Sequence, residues 1–433
     1  MKYIISVRAQ PHFAAAAGMG DLSLGEQVRQ AVSVNGVSCD ESYAPIAFGA
    51  VNASPLHLMA AAGFDYGATT APNAYLVRAD IENAKALNRL KSTRRDVVLG
   101  VHVDLEIAAF RNKEAGGSGD PIGDAKDVAS RMGIPALTKA GLTGAGVRVA
   151  IVDTGIDGTR VPVAGGWSID GAYKPGSSSP WHGTMVAFDS HLVAPDAQLL
   201  DYALLRSVAG TWSAFLSDAI AAYSAIRDEV TRNPGPMVVN NSWALYDRTK
   251  DAPIGSPENY SANPGHPFCQ VVENLVSAGC DVVFAAGNCG MDCPYSSCGI
   301  ADRGSGKSIH GANSHPDVMT VAAVDIRDRR LCFSSQGPGG IYDRKPDIAA
   351  FSQFAGSGVM AADAGTSAAA PIVSGLIAAL RQHPKLRTSS PAQIKGLLQK
   401  AARNTLGGLW TYDLGYGIVD AAAVMESLAA PDA

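Results

Sequence analysis

The chain has 433 residues, 47% of them hydrophobic and 17% charged, with a formal net charge of -5. That is material for one large domain and a smaller one. The charges form no long run of one sign, which excludes a nucleic-acid footprint or a basic membrane-binding surface.

In chain order, "MKYIISVR" offers a short apolar stretch cut at Arg8, too short for the core of a Sec export signal. A cytoplasmic location is therefore expected. Export by a non-Sec route is the alternative, because clustered cysteines suit an oxidising compartment. No apolar run reaches the roughly 18 residues of a membrane span. The nearest, 368–380, holds Pro371 and Gly375 and stops at Arg381.

Residues 74–107 predict strand, helix, strand. "AYLVRAD" is the first strand, Asp80 a cap, and Ile81, Ala84, Leu87 and Leu90 recur at helical spacing. From Val97 to Ile107 alternate residues are apolar, which predicts one continuous strand with a buried face, and "KYIISV" is a candidate partner for it. Residues 1–110 thus read as a small α+β unit, although 1–70 is less regular. Residues 111–129, Gly-rich and charged at the start, read as an exposed linker open to proteolysis.

From about residue 130 to 433, short apolar runs ("VRVAIVD", "AQLLDYALL", "MVVNNSW", "CDVVFAAGN", "VMTVAAV") alternate with helical stretches. Strands apolar on both faces predict an α/β domain with a mostly parallel sheet covered by helices on both sides. Six of the seven cysteines lie between Cys269 and Cys332. Their density allows disulfides, free thiols or a metal site, although the C-x3-C-x4-C of Cys289, Cys293 and Cys298 is not a standard zinc spacing.

Three short stretches carry chemistry. Asp153 ends the apolar run 147–152, and open parallel sheets place their sites beyond the carboxyl ends of strands. An Asp-Thr-Gly can serve a two-carboxylate protease, but a second copy is absent and the surrounding strands alternate with helices. His182, in "SPWHGTMVA", stands at a helix start beside a glycine that permits close backbone approach. Ser367, in "DAGTSAAAPIVSG", opens a charge-free helix; it can be a cap, or a nucleophile whose oxyanion meets its own N–H and the helix dipole, with Gly365 leaving room for a substrate carbonyl.

Singly these residues are uninformative. Together they occur in the order Asp, His, Ser, and "VAIVDTGID", "HGTMVA" and "GTSAAAPIVSG" resemble the three signature blocks of the subtilisin-like serine proteases, the subtilases. The resemblance covers about residues 130–425 and implies a catalytic triad of Asp153, His182 and Ser367. It implies that Asn288, in "VVFAAGNCG", donates to the oxyanion. Ser242, Trp243 and Ala244 are implied to pair with the substrate backbone, and Ala285, Ala286 and Gly287 to form the facing wall. Met185 and Phe188 depart from the family, where a second histidine and a glycine are common. The N-terminal unit resembles the family's propeptide, implying a zymogen in which it acts as an intramolecular inhibitor. The partners so implied are protein or peptide substrates and the chain's own N-terminal domain. The chemistry needs no cofactor or metal; structural calcium, frequent in the family, has no ligands assigned here. Two further readings use the same residues: a catalytically silent peptide-binding protein, and a peptide ligase or macrocyclase that intercepts the acyl-enzyme with an amine.

Overall fold

The computed structural model describes residues 1–10, 13, 21–48, 74–109, 119–179, 181–208, 211–404 and 409–429. The N-terminal unit is an antiparallel sheet of β1 (Lys2–Arg8), β2 (Val37–Cys39), β3 (Ile46–Phe48), β4 (Ala74–Ile81) and β5 (Val98–Val103), with helices α1 (Asp21–Ala31) and α2 (Ala84–Thr93). The strand order is β2-β4-β1-β5, with β3 also on β4, so "KYIISV" pairs with both strands of the predicted strand, helix, strand segment. Val28, Val32, Ala86 and Leu90 pack the helices against one sheet face.

Two local expectations are corrected. Asp80 lies inside β4, and the cap of α2 is Asn83, whose side chain accepts the Ala86 N–H at 3.0 Å. The strand predicted across 97–107 is broken at Asp104 and Leu105, after which β6 (Glu106–Ala109) leaves the N-terminal sheet for another one. The cause is non-local. The Asp104 carboxylate turns away to accept the backbone N–H and hydroxyl of Ser217, at 2.9 and 2.7 Å.

The main body begins with α3 (Ala125–Met132) and α4 (Ile134–Lys139). The boundary drawn at residue 130 falls inside α3, whose Val128 and Met132 are already buried in the main core. Residues 111–118 of the linker lie outside the described residues. Then follow β7 (Arg148–Asp153), β8 (Gly165–Ser168), α5 (His182–Val193), β9 (Gln198–Ala203), β10 (Arg206–Val208), β11 (Thr211–Phe215) and α6 (Leu216–Arg232). After them come β12 (Met237–Asn241), β13 (Trp243–Ala244), α7 (Pro267–Ser277), β14 (Asp281–Ala285), β15 (Met319–Val324) and β16 (Ile348–Phe351). The chain closes with α8 (Thr366–Arg381), α9 (Pro391–Ala401) and α10 (Ala421–Ala429).

Seven strands form a parallel sheet in the order β16-β15-β14-β12-β7-β9-β8. Both faces are covered, as the continuous apolar runs require. Val149 and Ile151 of β7 point into the cluster containing α5 and α8, while Ala150 and Val152 point into the one containing α6 and α7. Each fully buried Val, Ile or Leu stabilises this arrangement by roughly 1.5–3 kcal/mol. Every residue of α8 is buried. Its one charge, Arg381, is met by two hydrogen bonds to Asp281, at 2.6 and 2.8 Å, which offset the desolvation.

The far face of the N-terminal sheet docks on α6 and α7, where Ile4 and Leu76 join Ile220, Tyr223 and Phe268 in one core. The same contact carries Arg78, whose guanidinium meets Asp218 at 2.6 Å, and a T-shaped pair of buried rings, His102 and His266, 4.9 Å apart. The dense cysteines form two disulfides, Cys289 to Cys298 and Cys293 to Cys332; Cys39, Cys269 and Cys280 are free thiols. Among the described residues, no helix is long and apolar enough to cross a membrane.

Candidate active site

β7 is the switch point of the sheet, with β9 on one side and β12 on the other, and a crevice opens beyond the carboxyl ends of such strands. Asp153 ends β7. Ser242 follows β12 and Asn288 lies three residues past β14.

Asp153 is buried, and its Oδ1 accepts the Thr154 N–H at 2.7 Å and faces His182 Nδ1 at 2.7 Å. This fixes the imidazole with Nε2 directed away from the carboxylate. The two signature blocks are stapled to each other. The Gly183 N–H donates to Thr154 Oγ1 at 2.9 Å, and the Asp157 N–H donates to Thr184 Oγ1 at 2.9 Å. Gly183 is required by space: a Cβ there would lie 2.4 Å from the carbonyl oxygen of Gly155. That close approach brings the start of α5 onto the turn after β7. Met185, one of the two departures from the family pattern, is fully buried in the core, and Phe188 packs at its edge.

Ser367 is the second residue of α8. The helix is entered through Gly365, whose φ of 82° suits glycine. Pro371 stands four residues after Ser367 and has no N–H, so the Ser367 carbonyl loses its helical partner. The Ser242 hydroxyl replaces it at 3.1 Å. In return the Ser367 hydroxyl donates to the Ser242 carbonyl at 3.3 Å. His182 Nε2 is buried with no hydrogen-bond partner among the described residues. The structure therefore joins Asp153 to His182 and Ser367 to Ser242, while the Ser367 hydroxyl is not hydrogen-bonded to the imidazole.

Asn288 is buried and held by one end. Its Oδ1 accepts the N–H and hydroxyl of Thr366, at 2.9 and 3.1 Å. Its Nδ2, with the Tyr246 hydroxyl beside it, makes no hydrogen bond of normal geometry. A buried amide donor with its acceptor end fixed is preorganised to receive a negative oxygen. Gly287, at φ 104°, ties the same segment to Thr366 Oγ1 at 3.0 Å.

The cleft is occupied by the chain itself. β6 lies between β11 and β13 in a four-stranded sheet ordered β10-β11-β6-β13, with Ala109 opposite Trp243 and Ala108 opposite Ala244. The Trp243 indole points away into the core, against Phe268 and Phe284. The carbonyls of Trp243 and Ala285 both accept from Asn313 Nδ2, at 3.0 and 2.9 Å, which fixes the spacing of the two strand ends. Asn313 had no signal in the sequence. Neither did Tyr246, Tyr295 and Ala364, which with Ala244, Cys289 and Cys298 form the small apolar cluster against which Ala108 packs. Among the described residues, no three His, Cys, Asp or Glu side chains converge as a metal-binding set.

A doubly covered parallel sheet with an Asp-His pair at its switch point, a serine opening a buried helix and a strand paired to the segment beside Ser242 defines the architecture of a subtilisin-like hydrolase. The family model for the subtilase family, Peptidase S8, matches residues 144–417, and the chain belongs to that family. It is 29% identical to Subtilisin E of Bacillus subtilis (strain 168) over 307 residues, 68% of this chain and 70% of that one. It is 31% identical to Subtilisin BL of Lederbergia lenta over 306 residues, 68% of this chain and 96% of that one. Among solved structures, fervidolysin from Fervidobacterium pennivorans, a keratinolytic enzyme related to subtilisin, matches 98% of this chain and 60% of its own length. That likeness, at a TM-score of 0.60 and 18% identity, concerns the fold. The chain is a protease of the subtilase family, acting on protein or peptide substrates.

Proposed function

We propose that the chain is a serine endopeptidase working through an acyl-enzyme. His182 takes the proton of Ser367 as the hydroxyl attacks the scissile carbonyl, and Asp153 holds the imidazole tautomer and stabilises the imidazolium. This requires the Ser367 hydroxyl to leave the Ser242 carbonyl for the imidazole Nε2. The oxyanion is received by Asn288 Nδ2 and the Ser367 N–H. The strand edge at Ser242, Trp243 and Ala244 holds the substrate backbone, as Ala285 to Gly287 do from the far side and Gly365 at the nucleophile. The chemistry needs no cofactor.

One observation carries the reading: a peptide backbone, β6, is hydrogen-bonded to β13 immediately beside Ser242, the residue that touches Ser367. The occupied cleft and the docking of the N-terminal sheet on α6 and α7 support the companion proposal that the N-terminal unit is an intramolecular inhibitor and the chain a zymogen. The two disulfides favour an oxidising compartment over the cytoplasm.

The test is Ser367→Ala. The parental chain should hydrolyse casein after incubation and be labelled by a fluorophosphonate, and the variant should do neither. A variant cleaving casein at the parental rate removes the mechanism. A parental chain that binds peptide but resists the label is a silent binder, and ring-closed products in mass spectra identify a macrocyclase.

A further inference from the structure

Asp189 and Asp363 are both fully buried, and neither belongs to the chemistry above. Asp189 lies on α5, seven residues after His182; Asp363 lies in the turn into α8, four residues before Ser367. Among the described residues, Asp189 has no hydrogen-bonding partner except the Asp363 carboxyl. Asp363 is held from the other side by Ser357, whose hydroxyl donates to Oδ1 at 2.6 Å and whose N–H donates to Oδ2. Its backbone is bridged to Phe354, with the Asp363 N–H donating to the Phe354 carbonyl at 2.8 Å. Two bare carboxylates cannot share such a site; one proton must lie between them. Ser357 supplies two donors to Asp363 and nothing supplies one to Asp189, so the proton sits on Asp189 and is donated to the Asp363 carboxylate.

We propose that this shared proton is a positioning device, fastening the helix that carries His182 to the turn that carries Ser367, and that its loss sets the alkaline limit of the peptidase. The inference rests on the triad reading. The surroundings make the link rigid. One residue beyond Asp189 the helices nearly touch, since a Cβ at Gly375 of α8 would lie 2.4 Å from the Ser190 carbonyl oxygen. Burial, and then the partner's charge, raises Asp189 far above the ordinary carboxylate range; burial also raises Asp363. Among the described residues no other charge compensates the pair. α5 packs on α8, β7 and α3, and their charged groups are engaged elsewhere: Arg381 with Asp281, Arg148 with Glu229, Asp153 with His182, Arg131 with Asp328, and Asp127 in the cap of α3 with Asp124. Lys126 of α3 is exposed, and His191 at the end of α5 is half-buried. When the proton leaves, two negative charges face each other inside the core and push α5 away from the turn before Ser367.

The experiment measures kcat and KM on a peptide anilide from neutral to alkaline pH, using the full chain incubated until its activity is constant. The parental protein should lose kcat at unchanged KM as the pair ionises. Asp189→Asn keeps a donor for Asp363 without a titrating proton; it should hold neutral kcat within about threefold and show no such alkaline loss. Asp189→Leu removes the link and should lower kcat by roughly tenfold or more at every pH, with KM unchanged. If the leucine variant does not fold, Asp189→Ala, which removes the same link without adding bulk, should lower kcat in the same way at unchanged KM. An alkaline loss that persists in Asp189→Asn, or a leucine variant with lowered Tm but parental kcat, overturns the proposal. A readout independent of activity comes from the full chain carrying Ser367→Ala, where infrared spectra should contain the carbonyl stretch of a buried protonated carboxyl that Asp189→Asn removes. Absence of that band overturns the pair whatever the activity. Its presence in a chain whose parent hydrolyses nothing overturns the triad reading instead, and the alkaline limit with it.

Discussion

The carboxylate of Asp104 caps the first turn of α6 by accepting both the N–H and the hydroxyl of Ser217. A residue of the N-terminal unit thereby satisfies helix donors of the main body, which would otherwise face the interface unmet.

This contact makes the docking pH-dependent. Burial, only partly opposed by the Ser217 hydrogen bonds, raises Asp104 from 3.8 to about 6. The docked state therefore binds the proton more tightly than the separated unit. The contribution is full below about pH 4 and is lost as pH rises through 6, a change of up to about a hundredfold in affinity. The His102 and His266 pair acts in the opposite sense. Burial lowers both, so their contribution is present above the ordinary histidine value and is lost as pH falls below it. In a chain nicked within 111–118 through an engineered cleavage site, size-exclusion chromatography should show His102→Gln dissociating more readily at neutral than at acid pH, and Asp104→Asn the reverse. Profiles unchanged by either substitution would remove the assignment.

Gly183→Ala places a methyl group 2.4 Å from the Gly155 carbonyl oxygen, in backbone that cannot yield. α5 must shift, and a displacement of about 1 Å at His182 should lower kcat by roughly a hundredfold. Steady-state kinetics beside a thermal melt separate this from unfolding, because the variant should remain cooperative in melting while losing turnover.

Asn288→Ala removes the free amide donor and leaves the Thr366 N–H unpaired. The expected cost is about 3 kcal/mol in the barrier, a fall of a hundredfold or more in kcat with little change in KM. Parental kcat in this variant would show that the oxyanion is held elsewhere.

Tyr246 and Tyr295, with ring centroids 6.0 Å apart, wall the face of the cleft on which Ala108 lies. Side chains two apart along a strand share a face, so a substrate residue opposite Ser242 meets the same wall as one opposite Ala244. Small residues are expected there. Tyr246→Ala should raise kcat/KM for peptides with Phe before the scissile bond relative to Ala by about tenfold or more, on the scale of a few methylene groups in a pocket. A ratio that stays at the parental value would place the substrate side chain elsewhere.

Much of this was legible because it is local. Gly183 and Gly365 mark the catalytic blocks through requirements of space and φ that act within a few residues of themselves, and the two-sided apolar runs of β7, β12 and β14 declare a covered parallel sheet. What escaped depends on partners far along the chain. Alternation through Asp104 looked like uninterrupted strand because its partner, Ser217, is 113 residues away. The pairing of Cys293 with Cys332 and the double contact of Asn313 with Trp243 and Ala285 likewise exist only once the sheet is assembled. Asp80 has the side chain of a helix cap, but β4 runs through it to Ile81.

The place of β6 in the middle of its sheet has one more implication. Withdraw that strand and β11 and β13 are left across a lane two strand spacings wide, roughly 10 Å, each with bare amides and carbonyls turned inward. Any extended chain that enters completes the ladder, whatever its side chains, so the vacated groove is hungry for backbone first and selective second.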